Sequence, residues 1–68
     1  PEIFSQLSER EWEIVEAVSQ GMDNAEIADT VFMSVGTVRN HISAILAKLA
    51  LKNRTQIAVA YFRAHGRR

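Results

Sequence analysis

Apolar residues recur at helical spacing through four stretches of the chain. The longest stretch is 34–51, SVGTVRNHISAILAKLAL. At 100° per residue, Val35, Val38, Ile42, Ile45, Leu46 and Leu49 fall on one side of it, at intervals of three and four. Gly36, Arg39, Asn40, Ser43 and Ala47 fall on the opposite side, and Thr37, His41, Ala44 and Lys48 form the flank between them. The pattern predicts an amphipathic helix over about 35–50, capped by Ser34. A first helix is predicted over about 8–20. Ser8-Glu9-Arg10-Glu11 fits a capping box, Leu7 stands where a hydrophobic staple would, and Gly21 is the expected C′ residue. Trp12, Ile14, Val15 and Val18 form its inward side, and Glu9, Glu13 and Glu16 its outward side. A single Trp on an apolar helical face reads as core before it reads as a stacking platform.

Asp23-Asn24-Ala25-Glu26 is a second capping box and opens a short helix over about 24–31, with Ile27, Ala28 and Val31 inward. Phe32 and Met33 make a short apolar turn into Ser34. Short helix, tight turn and longer helix form a helix-turn-helix arrangement, here without the glycine often found in the turn. Asn53-Arg54-Thr55-Gln56 is a third box-like start, to a helix over about 54–64 with Ile57, Ala60 and Tyr61 inward. Thr55, Val59 and Phe62 lie at i, i+4 and i+7 on another side of that helix. Such a stripe marks a partner surface if it stays outside, unless Phe62 folds back onto the first helix. Residues 1–6 have no periodicity and are expected to be extended, as a linker remnant, with Ile3 and Phe4 as an apolar pair that reads as packing on the core before function; 66–68 form a basic tail. The expected fold is all-α: one compact four-helix bundle over 7–65 containing a helix-turn-helix.

The outer face of the third helix is what gives this scaffold a candidate function. A merely solvated face tends to carry Glu and Lys in i,i+4 pairs. This one has no acid, several small residues, and the two side chain types best suited to reading base edges, Arg and Asn. That predicts a helix entering the major groove of double-stranded DNA.

Charge sharpens the picture. The formal net charge is zero, but all eight acids lie in residues 1–33 beside a single base, Arg10, which gives −7. The other seven bases lie in 34–68 with no acid, which gives +7. Attraction between the halves across the fold is one reading of this split, but it does not account for the complete lack of acids in the second half. A polyanion-facing surface does.

Other chemistry is poorly supplied. There is no cysteine, and His41 and His65 sit on separate helices with no acid near them in sequence, so neither a metal site nor an enzyme is expected, nor any cofactor. The carboxylates are expected on outward, solubilising faces. No run approaches the ~20 apolar residues of a membrane span, and no signal-peptide pattern opens the chain, so a cytoplasmic protein is expected. A membrane-surface role for the amphipathic helix is disfavoured, because its apolar stripe is needed for the core. A protein-interaction module remains the alternative, its basic face meeting an acidic surface such as a subunit of RNA polymerase.

The run from Leu7 to Tyr61 closely resembles the LuxR-type helix-turn-helix domain, found at the C-terminus of quorum-sensing regulators and of the NarL/FixJ class of response regulators. The residues that carry the likeness are Leu7-Ser8-Glu9-Arg10-Glu11, Gly21, Asn24-Ala25-Glu26-Ile27-Ala28, Ser34, Thr37-Val38-Arg39-Asn40-His41, Lys48-Leu49 and Asn53-Arg54-Thr55-Gln56. The resemblance implies transcriptional regulation by sequence-specific binding, with the third helix in the major groove. By position it implies base reading by Arg39, Asn40 and Ser43. It implies DNA backbone contacts from Asn24, Ser34, Thr37, His41, Lys48 and Arg54. It also implies a homodimer through the fourth helix, with Thr55, Val59 and Phe62 as the seam, on a palindromic operator. A receiver or ligand-binding domain N-terminal to this one is a further implication. Four positions depart from the family pattern: Asp23 for Ser or Thr, Ala25 for a frequent Lys, Gly36 for a long side chain, and Ala50 for Gly or Asn. They imply a weaker isolated domain with a site preference of its own.

Overall fold

The structure is a computed structural model that describes residues 3–65. A short 3-10 turn, Ile3–Gln6, precedes four helices: α1 (Glu9–Ser19), α2 (Asn24–Val31), α3 (Val35–Leu49) and α4 (Arg54–His65). No strand occurs among the described residues, and none of their helices is long and apolar enough to cross a membrane. The fold class and the four helices agree with the periodicity. The basic tail, 66–68, lies outside the described residues.

Local chemistry sets the helix starts. Ser8 Oγ accepts from the Glu11 N–H at 3.2 Å, and Glu11 Oε1 accepts from the Ser8 N–H at 3.0 Å, a complete capping box. Asp23 and Glu26 repeat it, both bonds at 2.8 Å. The third box is offset. Asn53 Oδ1 does accept from the Gln56 N–H, but the Gln56 amide oxygen reaches back one residue further, to the Lys52 N–H at 2.7 Å.

The first three helices end alike. At each, a residue two or three past the helix donates its N–H five residues back: Met22 to Ala17 O, Met33 to Ala28 O and Leu51 to Leu46 O. This is a Schellman closure, which needs a left-handed residue just before the donor. Gly21 takes that role at φ +86°, but Phe32 (φ 59°) and Ala50 (φ 56°) also take it, with a Cβ that disfavours it.

The helices then bury one isoleucine each at a common centre. Ile14, Ile27, Ile45 and Ile57 are all fully buried, with Val15 and Val38 beside them. Helix α1 packs on α4 and α2 on α3, and α1 also touches α2 and α3. This leaves the long outer flank of α3 uncovered.

Three expectations need correction. Residues 3–6 are not extended: they coil, and Phe4 is buried against Trp12 and Tyr61, at ring distances of 5.4 and 6.4 Å. A four-residue coil is too short to show periodicity, and a single apolar anchor holds it. Val35 is half-exposed rather than part of the buried stripe, because it is the first residue of α3 and burial begins at Val38. Glu11 does not face solvent: it is only 6% exposed.

Candidate nucleic-acid interface

Helix α3 begins with a linked pair of hydroxyls. Ser34 Oγ caps the helix by accepting from the Thr37 N–H at 3.1 Å, and donates its own proton to Thr37 Oγ1 at 2.9 Å. The Thr37 hydroxyl proton is therefore left to point outward. No acid lies in the first turn of α3. The positive end of the helix dipole and its free N–H groups are thus offered to an anion without competition.

One turn further on, Arg39, Asn40 and Ser43 are exposed, and no hydrogen bond or ion pair with the described residues engages their side chains. Ser43 lies about 6 Å beyond Arg39 along the axis, at about 1.5 Å per residue, or roughly two base-pair steps. A helix about 10–12 Å across fits the major groove, which is about 12 Å wide. Around these three, Gly36, Ala44 and Ala47 are exposed and small, so nothing bulky holds the helix off a groove floor. A side chain at Gly36 would meet nothing closer than Ser34 Oγ at 4.0 Å, so the glycine is not required by packing.

The other candidates sit on the rim, and two pairs of them are already bonded. Arg54, from the first turn of α4, donates through Nη1 to Asn24 Oδ1 at 2.6 Å and through Nη2 to Met22 O at 2.9 Å. One guanidinium fork thereby ties α4 to the loop that opens α2, and it leaves the Asn24 amide N–H groups turned to donate elsewhere. Lys48 Nζ donates to both Glu11 carboxylate oxygens, at 2.8 and 3.0 Å. The Glu11 side chain is 8% exposed and that of Lys48 43%, so the pair is buried at the acid and wet at the amine. The Lys48 bond, with the Ser8 N–H as a second donor, holds the Glu11 carboxyl below its ordinary range against the opposing effect of burial. His41 is half-buried and shares a shallow groove with Glu11, Thr37, Asn40 and Ala44.

Glu11 is the residue that sequence reasoning missed. It was legible as the N3 member of a capping box, but its second partner lies 37 residues away on α3. Arg10 is a second omission. Its Nη2 donates to Val31 O at 3.1 Å and so braces the turn between α2 and α3. Thr55, Val59 and Phe62 are exposed on α4, and the Phe62 ring meets Tyr61 edge-on, with ring centroids 5.5 Å apart.

The family model for bacterial regulatory proteins of the luxR family matches residues 5–61, which takes in the second half of the 3-10 turn, all of α1–α3 and most of α4. The chain belongs to the LuxR family. Among curated LuxR-family relatives, it is 42% identical over 59 residues to the transcriptional regulatory protein LnrK of Bacillus subtilis, covering 87% of this chain and 27% of that protein. It is 39% identical over 61 residues to the response regulator protein VraR of Staphylococcus aureus, covering 90% of this chain and 29% of that one. The chain thus spans less than a third of the length of these relatives.

Proposed function

We propose that this LuxR-family domain binds double-stranded DNA in a sequence-specific way, with α3 in the major groove, as the DNA-contacting part of a transcriptional regulator. The observation that carries the reading is the outer face of α3. Arg39, Asn40 and Ser43 are exposed there without side-chain partners among the described residues, following a helix start free of acids. Arg39 donates to guanine O6 and N7, and Asn40 pairs with adenine N6 and N7 or donates to guanine. Ser34, Thr37, Asn24 and Arg54 fix the register on the phosphates. His41 and the water-facing side of Lys48 complete that set. Thr55, Val59 and Phe62 join two copies through α4, so that the pair reads an inverted repeat with half-sites about one helical turn apart.

The test is Arg39→Ala, measured on a duplex selected from a random pool and on random duplex. The variant loses about 1–3 kcal/mol on the selected site and relaxes preference at one position, with little change on random DNA. Equal losses on both duplexes would remove Arg39 from the base-reading set.

A further inference from the structure

One surface feature lies outside this interface. Phe32 is 89% exposed, more than any other large apolar residue among those described. It also holds a left-handed backbone, at φ 59° and ψ 49°, which an aromatic L-residue adopts reluctantly. Glycine would satisfy the same Schellman closure with no such strain. The fold therefore gains nothing internal from this ring. Its backbone is nevertheless held firmly: Met33 N–H closes on Ala28 O, and Arg10 braces the preceding carbonyl.

The ring stands at one end of a cleft of about 330 Å³ between α1 and α2. Ala17, Met22 and Val31 supply apolar surface there, and Glu13 and Glu16 supply carboxylates. Glu13 meets Arg10 only at 3.5 Å, with both side chains about half exposed, and Glu16 has no side-chain partner among the described residues. Arg10, which also lines the cleft, offsets Glu13, and Glu16 is left without a cation among the described residues.

We propose that this cleft is a docking site for a second protein, one that presents a Lys or Arg beside an apolar side chain. The apolar side chain fills the cleft against Ala17, Met22 and Val31. The cation lies over the Phe32 face and within reach of Glu16 and Glu13, so that ring and carboxylates act on the same charge. The signs select this occupant: Arg10 offsets Glu13, but an acidic or neutral apolar segment would meet the Glu16 carboxylate with nothing to offset it. The docking face is built from α1, α2 and the turn, and uses none of Arg39, Asn40 or Ser43.

The test is an amide chemical-shift titration of this chain with a short amphipathic helical peptide of Leu and Lys, and in parallel with its Leu and Glu counterpart. The Lys peptide shifts amides around Glu13, Glu16, Val31 and Phe32, and the Glu peptide does not. Phe32→Gly melts at a temperature no lower than the parent, since it relieves the backbone, yet it binds the Lys peptide at least about tenfold more weakly. Glu16→Gln also weakens binding while leaving the fold intact. Shifts spread evenly over the surface, equal response to both peptides, or undiminished binding by Phe32→Gly would each overturn the proposal. Concentration-dependent shifts at the cleft without peptide would assign it to a second copy of the chain, and would overturn it equally.

Discussion

Glu11→Gln isolates the charge that links α1 to α3. The glutamine oxygen still accepts from the Ser8 N–H, so the helix cap survives, and what is lost is the ion pair to Lys48. A hydrogen bond to a charged group contributes about 1.5–3 kcal/mol. The amine end is 43% exposed, so water screens it, and a net loss of about 1 kcal/mol is expected. For a domain of this size that lowers Tm by roughly 4–8 °C. Glu11→Ala removes the back-bond of the cap as well and brings the loss to about 2–3 kcal/mol.

The pH dependence gives the sharper check. The folded carboxyl titrates below the ordinary value of 4.5. Its contribution is therefore complete above that value and fades as pH falls through the lower, folded one. The parent is more stable than Glu11→Gln at about pH 7, and the gap narrows as pH falls below 4.5 and through the lower folded value. Urea unfolding of both proteins across that range measures it. A gap that is absent at neutral pH, or unchanged at acid pH, would refute the claim that the pair is a stabilising ionic contact.

Ala50→Gly removes a Cβ from a left-handed helix end and is expected to raise stability by roughly 1 kcal/mol, read as a higher Tm. Arg54→Ala frees the loop between α1 and α2 and makes the salt dependence of DNA binding shallower by about one phosphate contact. Arg54→Lys restores the salt slope in a titration but not the thermal stability, because an amine cannot reproduce the fork to Asn24 and Met22. Phe62→Asp, at a position 51% exposed, changes stability by less than about 0.5 kcal/mol. It is expected to abolish cooperative binding to an inverted repeat in gel shifts while half-site binding persists.

What a single element dictates was readable from the chain. The boxes at Ser8 and Asp23, the glycine stop at Gly21 and the inward isoleucines each depend on neighbours within a turn or two. The same holds for the outer face of α3, since a wheel fixes which residues share a side. What depends on how helices cross was not readable. Glu11 meets Lys48 across 37 positions, and Asn24 meets Arg54 across 30. No local signal shows that residues expected to meet phosphates first meet partners within the fold. The left-handed ends at Phe32 and Ala50 were hidden for another reason: tertiary closure there overrides a propensity that would have called for glycine. The apolar pair Ile3 and Phe4 was legible as a docking point, and Phe4 is the one that is buried; the coil itself was missed because four residues leave no period to detect.

Whether the outer face of α3 meets DNA is tested most directly by an amide chemical-shift titration of the chain with a selected DNA duplex at low salt. The account predicts that the largest changes fall on Ser34, Thr37, Arg39, Asn40 and Ser43, with smaller ones at Asn24 and Arg54. Changes centred on α1 and the α1–α2 cleft, with the α3 face unmoved, would contradict it.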